Sequence, residues 1–336
     1  MTGKTNILLF GATGYIGGAV LNRLLQHPNA DKFDITAPVR SPEKAKLLEQ
    51  LGVKTEIASL SDHDKIESLA SRAHVIINVA NSDDLPAIIA LLKGVRKAYE
   101  TTGKPPILIH TVKPAEGKYA TETVYSDLNI DQLKAIPPTA FHRDVDLAVI
   151  AQTSKIPAII KASLDRKRSG VVGPGKAIWP HVHVDDSAGD MYTVLFDAIT
   201  TNPQSAGHGW EGYYFGENGE VTWYEIGKAI GQALVHLGLA DSAEPSPSPT
   251  KSWPSTGARG ASSAGPAGSF SGTTCRCRAD RIRALGWKPK YSSADLLAVI
   301  KLETELHWKL AQEKGAVDFS YELGRTMLLQ NAIESS

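Results

Sequence analysis

The chain has 336 residues, 42% of them hydrophobic, enough for one large core or for two lobes sharing a cleft. Its 36 basic and 36 acidic residues cancel, so no global field draws it to nucleic acid or to an anionic membrane, and a small-molecule substrate is the better-fitting partner. Two cysteines, Cys275 and Cys277, exclude a disulfide framework and are too few for a zinc site, so no metal is expected.

No run is long enough to span a bilayer, and the first strand starts too early for a cleavable signal to precede it. The expected compartment is therefore the cytoplasm. That strand is Ile7-Leu8-Leu9-Phe10, four apolar residues, too few for a helix and right for a strand buried on both faces. Gly11-Ala12-Thr13-Gly14-Tyr15-Ile16-Gly17 follows, and then the helical spacing of Ala19 to Leu25. Strand, glycine turn and helix in this order form the context of a dinucleotide-binding fingerprint. Gly11 permits a sharp turn, Gly14 leaves room for a pyrophosphate, and Gly17 lets the helix press on the sheet. The helix N-terminus adds free N–H groups and partial positive charge.

The second strand, Phe33 to Val39, ends at Arg40, with Ser41 placed to cap the next helix and Pro42 in its first turn. A carboxylate at this strand end would bind the ribose 2′-hydroxyl of NAD, whereas an arginine accommodates the 2′-phosphate of NADP. Arg40 favours NADP, with NAD as the alternative. A third strand, Val53 to Ala58, precedes Ser59-Leu60 and a helix from His63 to Arg72. A fourth strand covers His74 to Asn81, a helix runs from Leu85 to Thr101, and a fifth strand covers Ile107 to Thr111. This alternation predicts an α/β fold, a doubly wound parallel sheet with right-handed crossovers. The loops at Gly11, Arg40, Ser59, Ala80 with Asn81, and Thr111 should then converge beyond the C-terminal strand ends.

Further on, Ile156 to Lys167 reads as a helix with a basic end, Arg166-Lys167-Arg168, better explained by the helix dipole than by an anion site. His181-x-His183 would set two imidazoles on one face of a strand, without a third metal ligand. Asp185 and Asp186 are placed to cap a helix over Ser187–Ile199, and Thr222-x-x-Glu225 reads as a capping box. Residues 241–274, rich in Pro, Ser and Gly, read as disordered or as a mobile loop. A long helix from Ser293 to Lys314 carries a stripe of Leu296, Leu297, Ile300, Leu306 and Leu310, for packing within the chain or on a second subunit.

Together these motifs resemble the short-chain dehydrogenase superfamily, in its extended, epimerase/dehydratase-like and NmrA-like branches. The resemblance rests on the glycine motif at 11–17, on Val39-Arg40-Ser41-Pro42-Glu43-Lys44, on His183-Val184-Asp185-Asp186, and on Leu285-Gly286-Trp287-Lys288-Pro289. It implies an NAD(P)-binding Rossmann fold, a backbone contact from Leu60 to adenine, and cofactor contacts from Thr13, Tyr15, Ile16 and Lys44. Ser59 stands where the family usually has an aspartate before that leucine.

The catalytic part departs from the family, which places a Ser or Thr after the fifth strand and a Tyr-x-x-x-Lys pair on a later helix. Alignment outward from Tyr125-Ser126-Asp127-Leu128 sets that helix at Phe141–Gln152, where the paired positions are His142 and Asp146. Thr111, His142 and Asp146 are therefore the candidate proton-handling residues, the imidazole as acid or base and Asp146 orienting it. No equivalent of the family's sixth strand precedes Ile156; either this branch has trimmed its sheet or the sequence reflects a faulty gene model.

The expected organisation is a Rossmann domain over 1–155, a smaller substrate lobe over 156–315 interleaved with the sheet, and a tail over 316–336. The expected function is an NADP(H)-dependent oxidoreductase acting on a small carbonyl or alcohol as a monomer or homodimer. The alternatives are a dinucleotide-sensing NmrA-like regulator without turnover and, third, an epimerase or dehydratase.

Overall fold

The computed structural model describes residues 4–81, 84–111, 124–134, 156–248 and 274–314. Its centre is a parallel sheet of β1 (Thr5–Phe10), β2 (Phe33–Val39), β3 (Lys54–Ile57), β4 (Val75–Asn78) and β5 (Ile107–His110), in the order β3-β2-β1-β4-β5. The chain winds outward from β1 to β3, returns to β4 on the other side of β1, and so creates a switch point between β1 and β4. The doubly wound α/β fold read from the alternating pattern is the fold observed.

Both faces of the sheet are covered, which explains the continuous apolar run of β1. Ile7 and Leu9 point to one side, towards α1 (Tyr15–Leu25) and α2 (Pro42–Gln50); Leu8 and Phe10 point to the other, towards α3 (His63–Ala70) and α4 (Leu85–Thr102). Burying each such side chain stabilises the fold by about 1.5–3 kcal/mol. Strands β3, β4 and β5 are shorter than the apolar runs suggest, because pairing stops where the chain turns into the loops. Ser41 caps α2 as expected, accepting from the Lys44 amide at 3.4 Å.

Beyond the sheet lie β6 (Tyr125–Ser126), α5 (Ile130–Lys134), α6 (Ile156–Arg166), β7 (Gly170–Val172) and β8 (Ile178–Pro180). Then come a wide π-type turn at Asp185–Met191, α7 (Tyr192–Thr201), β9 (Glu220–Thr222), α8 (Trp223–His236) and β10 (Ser246–Ser248). Last are β11 (Cys277–Arg278), α9 (Asp280–Ala284) and α10 (Ser293–Lys314). A second core joins α6, α8 and α10 through Ile160, Trp179, Trp223, Ile230 and Ile300. The capping box of α8 is present, with the Thr222 amide donating to Glu225 at 2.7 Å and the Glu225 amide to Thr222 at 3.2 Å.

Several expectations give way here. Asp185 and Asp186 cap nothing, because Val184 is already helical (φ −60°, ψ −38°) and a cap needs extended backbone. Asp186 is instead 1% exposed and accepts from the amides of Lys290 (2.9 Å) and Tyr291 (2.9 Å), while its carbonyl accepts from the Trp287 indole at 2.8 Å. The Leu-Gly-Trp-x-Pro stretch is thus bolted to the wide turn. His181 and His183 lie past the end of β8 and do not share a strand face. Residues 241–248 are ordered, and Ser246–Ser248 runs parallel to Gly170–Val172; the rest of the expected disordered stretch, to 273, lies outside the described residues. On α10, Ile300 is buried and Leu296 and Leu297 are partly so, but Leu306 is 49% exposed, so the stripe is shorter than its spacing suggests and packs within the chain. The tail 316–336 and the helix read at Phe141–Gln152 lie outside the described residues.

Candidate dinucleotide site

The loop between β1 and α1 is built by its glycines. Gly11 sits at φ +83°, a conformation that side chains rarely adopt, and a Cβ there would meet the Val79 carbonyl oxygen at 2.9 Å. A Cβ on Gly17 would stand 2.0 Å from the Gly11 carbonyl oxygen, so only glycine lets α1 descend onto the loop. Gly14 is the N-cap of α1, and its amide donates to Gly11 at 2.8 Å, closing the turn. The first amides of α1 therefore point outward at the switch point, the arrangement a pyrophosphate requires. The residues present fit a dinucleotide.

Arg40 is exposed at the end of β2, on the side of the glycine loop where an adenosine ribose would lie. The nearest acid in sequence, Glu43, is turned onto Ser41, whose hydroxyl donates to it and holds its carboxyl below the ordinary range. Lys44 lies in the first turn of α2, which begins at Pro42. In the next loop the Ser59 amide donates to Asp62 at 2.6 Å and its hydroxyl at 3.0 Å, which holds the Asp62 carboxyl low. Ser59 is thus spent on its own loop. Leu60 packs against the α3/α4 side of the core. Ala80 donates its amide to Asn78 at 3.2 Å, directly beneath Gly11, and Asn81 follows it.

Tyr15 is the first residue of α1. Burial, then the nearby Glu303 of α10 and Asp185 of the wide turn, push its phenol up to about 12. Burial also raises the Glu303 carboxyl. His183 stacks on Tyr291 with ring centroids 3.7 Å apart, and His181 bonds Ser293 at 2.7 Å, so each imidazole has its own partner. Among the described residues no group of His, Cys, Asp and Glu is placed to hold a metal ion. A polar groove of about 680 Å³, lined by Asn6, Asp34, Lys54, Glu56 and Arg72 among others, lies at the opposite, amino ends of the strands.

At the end of β5, the Thr111 amide donates to Asn78 at 2.9 Å and its hydroxyl bonds the phenol of Tyr192. Burial pushes Tyr192 up to about 12. The structure therefore gives Thr111 a buried phenolic partner that no local pattern announces, 81 residues away. His142 and Asp146 lie outside the described residues. So the loops at Gly11, Arg40, Ser59, Ala80 and Thr111 stand at the C-terminal ends of adjacent strands, as the sheet order requires.

Residues 3–98 match the NmrA-like family. That segment carries β1 to most of α4, and hence the glycine loop and Arg40. Beyond it, an oxidase from Acremonium sp is 26% identical over 280 residues, covering 69% of this chain and 80% of that protein. Among solved structures, the triphenylmethane reductase of Citrobacter sp. complexed with NADP(H) superposes with a TM-score of 0.55 at 16% identity, covering 88% of this chain and 99% of that one. The UDP-glucose 4-epimerase of Thermus thermophilus in complex with NAD superposes with a TM-score of 0.56 at 14% identity, covering 89% and 99%. The NmrA-like match covers the segment that carries the glycine loop, and these neighbours share the Rossmann-type α/β fold. No helix among the described residues is long and apolar enough to cross a membrane.

Proposed function

We propose that this chain is an NADP(H)-dependent oxidoreductase of the extended short-chain type, acting on a small organic carbonyl or alcohol. The observation that carries the reading is the pairing of the glycine loop with an unobstructed Arg40 at the end of β2, where the nearest carboxylate is turned away. Guanidinium offers a planar fork of donors that matches a phosphate. The similarity to an oxidase and to an NADP(H)-complexed reductase supports the same reading.

The bound cofactor would supply hydride chemistry. The chain's own residues cradle the pyrophosphate at Gly11–Gly17, receive the 2′-phosphate at Arg40 and Lys44, and close one side of the cleft with Tyr15. Thr111, with Tyr192 behind it, offers a hydroxyl at the end of β5, and His142 with Asp146 remains the candidate acid–base pair. General acid–base help is worth about a hundred- to ten-thousand-fold in rate.

A second reading, a dinucleotide-sensing protein without turnover, is favoured by one specific observation. The Thr111 hydroxyl is already engaged by Tyr192, whose proton is held tightly. Kinetics separate the two. NADPH oxidation should be sought across ketones, aldehydes and quinones with the wild type and with His142→Ala. Turnover that falls at least a hundredfold in the variant at unchanged NADPH affinity supports the enzyme; tight NADPH binding with no turnover supports the sensor.

A further inference from the structure

The outer side of α10 carries a row of apolar side chains that its own packing leaves bare. Ile300 and Thr304 are buried on the side of α10 that meets α6 and α8. Val299, Leu302 and Leu306 lie on the opposite side and are 40%, 63% and 49% exposed. Spacings of three and four residues set them one above another on a single helix face. One exposed leucine is ordinary, but three in line make a continuous patch, the kind of surface that another segment covers. Lys309 extends the row and Lys301 borders it, and neither has an ion-pair partner among the described residues.

The chain itself offers the occupant. Residues 315–336 follow α10 directly and lie outside the described residues. Their sequence opens with Gly315, the residue type that lets a chain reverse at a helix end. Phe319, Leu323 and Met327 then recur at every fourth position, the spacing of an apolar helix face. The segment's charges are Asp318, Glu322 and Glu334 against Arg325, the opposite balance to Lys301 and Lys309. Its reach is sufficient. From Lys314 back to Val299 α10 runs about 22 Å, and the segment would cover about 33 Å even if wholly helical. A tethered segment also needs little contact area, because its local concentration is already high. A second copy would need roughly 600 Å² or more on each partner, which three partly exposed aliphatic side chains do not supply. We propose that Val299, Leu302 and Leu306 form the docking site of the chain's own residues 315–336. Phe319, Leu323 and Met327 lie on the row, with the acidic residues beside the two lysines.

Hydrogen exchange read by mass spectrometry tests this on the full chain. Wild type is compared with Leu302→Glu/Leu306→Glu, which puts charge on the row without entering the buried side of α10. Peptides from 316–333 should exchange about tenfold or more slowly in the wild type than in a free chain. That protection should be lost in the variant, while peptides of β1 and β4 keep theirs. Equal exchange in the two proteins would overturn the proposal, as would wild-type exchange at the free-chain rate. If the variant does not fold, the wild-type rates decide alone, measured at two protein concentrations with sedimentation alongside. Protection that is the same at both, on a monomer, supports docking of the chain's own segment. Protection that grows with concentration alongside a dimer would seat a second copy on the row and overturn the proposal.

Discussion

Gly17 shows how strongly a single residue can dictate the site. With 2.0 Å between its would-be Cβ and the Gly11 carbonyl oxygen, Gly17→Ala must push α1 away from the loop, at about 1–3 kcal/mol or more. Urea unfolding should show that loss together with weakened NADPH binding, whereas a surface alanine substitution on α1 should show neither. Arg40 should decide between cofactors. NADPH should bind more tightly than NADH, and Arg40→Ala should erase roughly ten- to a hundredfold of that preference, the worth of charge-assisted hydrogen bonds to one phosphate; titration of both cofactors would reveal equal losses if the arginine merely supports the fold. These residues were legible in the sequence because their chemistry is local: a glycine turn and its helix, a strand end and its cap. Asp186 was not. Its type and its place before a helix suggest a cap, yet its partners, the amides of Lys290 and Tyr291, lie more than a hundred residues away. Tyr192 was missed for the same reason.

Among elements, periodicity served well where a segment buries one face. It placed α3 and α4 to within a residue or two, and the start of α8 was readable from its capping box. Thr222→Ala should therefore cost about 1 kcal/mol in urea unfolding, and Thr222→Ala combined with Glu225→Ala should cost less than the sum, since each residue satisfies the other's amide. The wide turn at Asp185–Met191 escaped, because helical patterning does not distinguish five-residue hydrogen bonding from four. Its purpose is visible in space. A Cβ on Gly189 would meet Arg23 Nε of α1 at 2.8 Å, and Asp190 bridges Arg23 at 3.1 Å and Lys290 at 3.3 Å. The turn fastens the first helix to the loop after α9.

Across the whole molecule, buried histidines set a pH response. Burial lowers His110, His181 and His307 below their usual value of about 6.5. Between that value and the lowered ones the unfolded chain holds more protons than the folded one, so stability rises with pH across the window and is lost on acidification below about pH 6.5. Asp127 and Glu303 pull the other way, since burial raises their carboxyls and their favourable contribution fades as pH rises. The comparison of wild type with His110→Phe cancels those carboxyls. The melting temperature of the variant should fall less steeply between about pH 7 and 5; parallel curves would contradict the assignment.

The main core has a consequence for how the protein is made. The face of α1 and β1 is covered by Tyr192, Leu195 and Phe196 of α7 and by Trp287, all from the far half of the chain. At ordinary synthesis rates of about 5–20 residues per second, this core therefore lacks its later members for on the order of ten to fifty seconds. That is the interval from the emergence of β2 to that of Trp287, with only α1 and α2 on that side of the sheet. The main core of the Rossmann half is completed only by residues of the far half. Its burden on holding chaperones during translation is fixed by the sequence position of a tryptophan nearly 250 residues downstream of β2.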